Sequence, residues 1–305
     1  MFTKPFLPLE PVLRISGITK HYGALRALSG VSFNVPRGSV FGILGPNGSG
    51  KTTLLGIVLN TLTADSGEYE WLGNPDAATA RKKMGALLET PNFYHYLSAW
   101  DNLAINARIK GRGLDDRERV LRLTGLYERR DSAFQTFSLG MKQRLAIANA
   151  LLGQPEVVVL DEPTNGLDPS GIAEIRELIR ALSKEGYTIV MASHLLDEVE
   201  KVCTHMAILK KGQLLVSGAV SEVLRKEDEL ELATDVPEQA MALLQGVSGI
   251  GNLRRDGNLV RLALLDGSRN AQSINRLCAE NGIYLSHLVQ KAQSLESRFM
   301  ELTEQ

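Results

Sequence analysis

The stretch Gly45-Pro-Asn-Gly-Ser-Gly-Lys-Thr-Thr53 constrains the fold more than any other part of this chain, because it fits a glycine-rich phosphate cradle set between a strand and a helix. Ahead of it, Ser39-Val-Phe-Gly-Ile-Leu44 reads as a short buried strand, and Leu54 to Leu59 behind it reads as the first turns of an apolar helix. Gly45, Gly48 and Gly50, with Pro46, Asn47 and Ser49 between them, let the backbone fold close around phosphate. Successive N–H groups then meet the anion at a helix N-terminus whose dipole favours it. Lys51 is placed to reach the terminal phosphates. Thr52 supplies a hydroxyl for Mg²⁺, which keeps most of its waters, and Thr53 completes the run. The expected ligand is a nucleoside triphosphate.

A second signal completes such a site. Glu156-Val-Val-Val-Leu160 is a continuous apolar run, as expected of a central parallel strand, and it delivers Asp161-Glu162-Pro163 to the carboxyl edge of an α/β sheet. Asp161 is expected to hold Mg²⁺ through its waters. Glu162, one residue on, can face the γ-phosphate and orient or deprotonate the attacking water. Asp168 reads as the N-cap of a helix starting near Ser170, and Thr188 to Ser193 reads as a strand ending at His194.

At 305 residues the chain has room for one large α/β domain and a smaller one. A net charge of −1 gives no basic excess, so no general nucleic-acid surface is expected. Cys203 and Cys278 match no metal or redox spacing. The apolar N-terminus is broken by Pro5 and Pro8 and lacks the core of a signal peptide. No apolar run of about 18 residues follows, so any membrane role is expected to come through a partner.

The run Leu160-Asp-Glu-Pro-Thr-Asn-Gly-Leu-Asp-Pro169, with Ser193-His194 after the next strand, resembles the nucleotide-binding subunit of an ATP-binding cassette (ABC) transporter. Other matches follow in that family's order over roughly residues 12–220. Tyr22, in Lys20-His-Tyr-Gly23, resembles the aromatic residue that stacks on adenine. Phe137-Ser-Leu-Gly-Met-Lys-Gln-Arg144 resembles the signature loop, so Ser138 and the Gly140 N–H are expected at the γ-phosphate of a partner's ATP. Asp168 lies in the loop that contacts the opposite subunit, and His194 matches the switch histidine that senses the γ-phosphate. The resemblance implies an α/β P-loop NTPase core over residues 12–225, with an antiparallel β subdomain and a helical subdomain at about 81–155.

Two departures stand out. The usual signature Leu-Ser-Gly-Gly-Gln is here Phe137-Ser-Leu-Gly-Met141, and Glu89 occupies the position of a glutamine that touches Mg²⁺ and the attacking water. A carboxylate can ligate Mg²⁺ but donates no hydrogen bond unless protonated. Both departures resemble the branch that works with a separate exporter-type, ABC-2-like permease on lipid-like, antibiotic or peptide cargo. The chain carries one cradle and one signature loop, and in the family ATP sits between the cradle of one subunit and the signature of another. The resemblance therefore implies a homodimer across the ATP sites, peripheral on the cytoplasmic face of the membrane. A soluble family member acting on ribosomes or DNA usually has two cassettes or long coiled-coil insertions, and neither is present. A binding-only dimerisation switch is the other alternative, against which the intact Glu162 argues.

From Arg81 to Ala133 the texture is mostly helical, with apolar spacing in Leu103 to Ile109 and Val120 to Leu126 and a turn at Gly111 and Gly113. Phe93, Tyr94, Tyr96 and Trp100 form an aromatic cluster beside Glu89, serving either core packing or the docking of a permease helix. The acidic run Lys226-Glu-Asp-Glu-Leu-Glu231 marks a boundary. Beyond it the pattern reads β-α-β-β-α-β, the order of a small ferredoxin-like α+β domain over residues 228–305, with a closing helix at Leu295 to Leu302.

Overall fold

The computed structural model describes residues 10–74, 76–88, 92–223, 228–257, 259–265, 269–291 and Phe299. The chain divides into two units, Met1–Val220 and Ser221–Gln305. In chain order the elements are β1 (Pro11–Tyr22), β2 (Leu25–Pro36), β3 (Val40–Leu44), α1 (Lys51–Val58), β4 (Ser66–Trp71), α2 (Ala77–Arg81), β5 (Met84–Leu87), α3 (Ala99–Lys110), α4 (Arg117–Leu123) and α5 (Leu139–Leu151). There follow β6 (Val157–Asp161), α6 (Pro169–Lys184), β7 (Thr188–Ser193), α7 (Leu196–Val202), β8 (His205–Lys210), β9 (Gln213–Ala219) and a short helix α8 (Val220–Val223). The second unit contributes β10 (Asp228–Thr234), α9 (Pro237–Leu244), β11 (Ile250–Asp256), β12 (Leu259–Leu264), α10 (Ala271–Glu280) and β13 (Leu285–Lys291).

The first unit is built on a six-stranded sheet of order β5-β6-β7-β3-β8-β9, parallel except for β9. Strands β3, β6 and β7 are buried along their whole length, as their largely apolar sequences suit strands covered on both faces. Their register is level, with Leu44 opposite Ser193 and Asp161 opposite Ala192. The three carboxyl ends therefore open on one edge, where ligands bind in parallel α/β sheets. A second, antiparallel sheet of order β2-β1-β4 packs into the same core as α1. Trp71 closes that core, fully buried, with its indole N–H donating to the Val58 carbonyl at 2.7 Å.

The segment expected to be helical from Arg81 opens differently. Met84 to Leu87 form β5, the edge strand paired parallel to β6, so the chain leaves the sheet only after Leu87. A four-residue apolar strand is too short to show a period, which is why helical texture masked it. Helix α3 is then capped at its start by Ser98, whose hydroxyl accepts the Asp101 N–H, and at its end by Gly111 with φ 68°. A side chain on Gly85 would place its Cβ 1.9 Å from the Ala150 carbonyl oxygen, so β5 and α5 approach backbone to backbone.

The second unit follows the β-α-β-β-α-β order read from the sequence, with sheet order β11-β12-β10-β13 and every neighbouring pair antiparallel. Leu230, Leu232, Leu244, Val260, Leu262 and Ile274 fill its core. Asn270 caps α10 in a reciprocal pair with Ser273, so that helix begins one residue later than its cap. The closing helix expected at Leu295 to Leu302 lies outside the described residues, Phe299 apart. Among the described residues, no helix is long and apolar enough to cross a membrane.

Candidate nucleotide site

The turn from β3 into α1 forms the cradle. A side chain on Gly45 would meet the Leu209 carbonyl oxygen at 2.3 Å, and one on Gly50, held at φ 103°, would meet that of Ala27 at 2.7 Å. Only glycine fits either place. Pro46, Asn47 and Gly48 are exposed at the lip, whereas Ser49 is buried beneath it. Helix α1 begins at Gly50 with no side-chain cap and no acid in its first turn, so the helix end is left open to an anion. Lys51 is only 6% exposed, and its ammonium donates to the Gly45 and Pro46 carbonyls at 2.8 and 3.4 Å. Thr52 is exposed and Thr53 half-buried in the turn that follows.

From β6, Asp161 is buried at the sheet edge, and Glu162 turns out of the strand at φ 47°, a left-handed conformation that glutamate rarely adopts. Its own N–H still donates to the Ala192 carbonyl at 3.0 Å, which ties the turn to β7. One carboxylate oxygen lies 2.8 Å from His194 Nδ1, and the other 3.4 Å from Lys51 Nζ. Because β7 lies between β6 and β3 in the sheet, its end brings His194 to the glutamate that β6 presents. Lys51, Glu162 and His194 are thus one constellation drawn from three adjacent strand ends.

A cleft of about 520 Å³ opens over Lys51 and Glu162, lined by the residues Asn47 to Thr53 with Tyr22 and Glu162. Tyr22 is 47% exposed at its edge. Arg26 and Lys211 also line it, and sequence reasoning missed both. Lys211 and Gly212 form the β8–β9 turn, where the Gly212 N–H donates to the Ser49 carbonyl at 3.0 Å and its carbonyl accepts from the Ser29 N–H at 2.8 Å. In the sequence the turn is marked by a Lys-Gly pair between two apolar runs. Its arrival beside the cradle depends on β8 pairing with β3, which local pattern does not reveal. Thr52 and Asp161 offer only oxygen donors, the set that suits a hard cation such as Mg²⁺. Glu89 lies outside the described residues.

The remaining expected residues are elsewhere. Ser138, Gly140 and Asp168 line a second cleft of about 470 Å³ that shares no residue with the first. Ser138 caps α5, accepting the Met141 N–H at 3.3 Å, and Asp168 caps α6, accepting the Gly171 N–H at 2.9 Å. Two exposed helix N-termini therefore face one cleft. The aromatic cluster divides as well. Phe93 is buried against Phe134 at 5.1 Å between centroids, whereas Tyr94 and Tyr96 are exposed and pair edge-on at 6.2 Å. Buried Asn102 fixes that loop, accepting the Tyr94 N–H at 2.8 Å and donating to the Tyr94 carbonyl at 3.1 Å.

Residues 28–165, which span the cradle and Asp161-Glu162, match the family described as ABC transporter. The bacitracin transport ATP-binding protein BcrA of Enterococcus faecalis is 34% identical over 96% of this chain and 97% of its own length. The chain belongs to the ABC transporter family, as an ATP-binding subunit. The lantibiotic transport ATP-binding protein SrtF of Streptococcus pyogenes is 37% identical over 67% of this chain and 90% of its own length. Among solved structures, cbiO1 of Clostridium perfringens, part of the ABC transporter complex cbiONQ, superposes with a TM-score of 0.64 at 30% identity, covering 70% of this chain and 90% of that one. As an ABC ATPase, the chain binds ATP and couples its hydrolysis to transport.

Proposed function

We propose that this ABC ATPase drives export through a separate, ABC-2-like permease, on the cytoplasmic face of the membrane, and that its cargo is of the lipid-like, peptide or antibiotic class. Export is supported by the relatives named for bacitracin and lantibiotic transport, and by the departures in the signature loop. The observation that carries the catalytic reading is the single carboxylate of Glu162 set between Lys51 and His194.

In this reading Tyr22 stacks on adenine, while the loop from Gly45 to Thr53 and the Lys51 ammonium hold the β- and γ-phosphates. Thr52 and Asp161 would hold Mg²⁺, which would supply positive charge beside the phosphates. Glu162 accepts the proton of the water that attacks the γ-phosphorus, and His194 holds the Glu162 carboxylate and the γ-phosphate in register. Ser138, Gly140 and Asp168 serve the ATP of a second copy, since their cleft is separate from the chain's own cradle. Two copies related by a two-fold axis complete two equivalent sites. The domain of residues 228–305, read as ferredoxin-like, is assigned to support or regulation of that pair.

Two experiments test this. Glu162→Gln protein, incubated with ATP and Mg²⁺ and recovered by affinity from solubilised membranes, is expected to bring down a polytopic membrane protein. Recovery of soluble or ribosomal partners alone would overturn the transporter reading. Lys51→Ala and Ser138→Arg proteins are each expected to be inactive, and mixing them to restore phosphate release, because one cradle and one signature stay intact in the mixed pair. Failure of mixing to restore turnover would rule out the shared site.

A further inference from the structure

Asp65 lies in the segment joining α1 to β4 and is bonded to the two residues before Tyr22. One carboxylate oxygen accepts from Lys20 Nζ at 2.9 Å. The other accepts the His21 N–H at 2.6 Å and lies 3.0 Å from His21 Nδ1. Its own N–H donates to the Thr19 carbonyl at 2.9 Å. Hydrogen bonds from Lys20 and from the His21 backbone and ring hold its carboxyl well below the usual range, at about 2, so it is charged at any working pH. Lys20, held in this way, keeps its ammonium 5.7 Å from the centre of the Tyr22 ring.

The other end of the segment is fixed as well. The Thr61 and Leu62 N–H groups both donate to the Gly56 carbonyl of α1, at 2.8 and 3.0 Å. Helix α1 begins at the cradle, so α1 and the short connection after it, residues 59–65, together link the phosphate site to the strand end that carries Tyr22. Tyr22 itself is the last residue of β1 before a two-residue turn and has only Leu25 opposite it. A strand end of that kind frays unless something holds it.

We propose that Asp65 is a positioning residue for the nucleotide base: by clamping Lys20 and His21 to the connection that is tied back onto α1, it sets the Tyr22 ring at a fixed distance from the phosphate cradle. The proposal rests on the reading of Tyr22 as the base-stacking ring. Ion pairs at exposed sites contribute little to global stability, so Asp65→Ala is expected to fold and melt like the parent. Its effect is confined to the base.

The test is the equilibrium binding of Mg²⁺-ATP and of inorganic tripolyphosphate, which has no base, to the parent, Asp65→Ala, Tyr22→Ala and the double variant. Tyr22→Ala is expected to weaken ATP about tenfold and Asp65→Ala about threefold to tenfold, with tripolyphosphate unchanged in both. In the double variant the loss is expected to equal that of Tyr22→Ala alone, because a residue acting through the ring has nothing left to act on. Additive losses, or an equal loss of tripolyphosphate affinity in Asp65→Ala, would overturn the clamp while leaving the stacking reading in place. Unchanged ATP affinity in Tyr22→Ala would remove the stacking reading and the clamp with it.

Discussion

Glu162→Gln protein is expected to bind ATP as the parent does and to release phosphate about a thousandfold more slowly, measured as steady-state turnover under saturating ATP and Mg²⁺. The amide keeps the shape of the carboxylate and can still accept from His194 Nδ1, whose partner oxygen lies 2.8 Å away. It cannot take a proton from water. It also cannot serve as the anionic partner of Lys51, now 3.4 Å from the glutamate, so the ammonium stays available to phosphate. Binding and turnover are therefore expected to separate. Retention of more than about a tenth of parental turnover would show that a different group accepts the proton, because loss of a positioned general base costs at least about a hundredfold.

Gly85→Ala is expected to lower the unfolding temperature of the first unit by about 10 °C, followed by circular dichroism. The added methyl would meet the Ala150 carbonyl oxygen at 1.9 Å. That obstacle is backbone, so no rotamer change relieves it. Either β5 leaves the sheet edge or α5 moves away from it. Movement of α5 is resisted further, since Lys110 and Arg119 bond to the carbonyls of Asn149 and Leu151 near its C-terminal end. A melting temperature within about 2 °C of the parent would mean that β5 and α5 are less closely packed than described.

The two predictions sit on different sides of what the sequence makes legible. The turn Gly45 to Thr53 and the strand end Asp161-Glu162 were readable because each is a pattern of a few consecutive residues beside an apolar strand. The two helices of the second unit, read as Pro237 to Gln245 and Asn270 to Glu280, lie at Pro237–Leu244 and Ala271–Glu280, in the β-α-β-β-α-β order expected. Gly85 gave no local sign, because its requirement comes from a helix backbone some 65 positions later in the chain. Arg26 and Lys211 were missed for the same reason: sheet order, and not local pattern, sets them beside the cradle. The meeting of Glu162 with Lys51 and His194 likewise required β6, β7 and β3 to be neighbours, which the resemblance implied and periodicity alone did not.

Glu162 also bears on what the chain has been selected to do. At φ 47° it occupies a backbone conformation that disfavours every side chain with a Cβ by roughly 1 kcal/mol or more and disfavours glycine not at all. Glycine would adopt this conformation without the steric cost, but with more freedom to lose from the unfolded chain and without the contacts to Lys51 and His194. In the proposed catalytic role, Glu162 holds a costly backbone conformation for the sake of its carboxylate, so a replacement chosen to relieve that backbone would remove the group on which turnover depends.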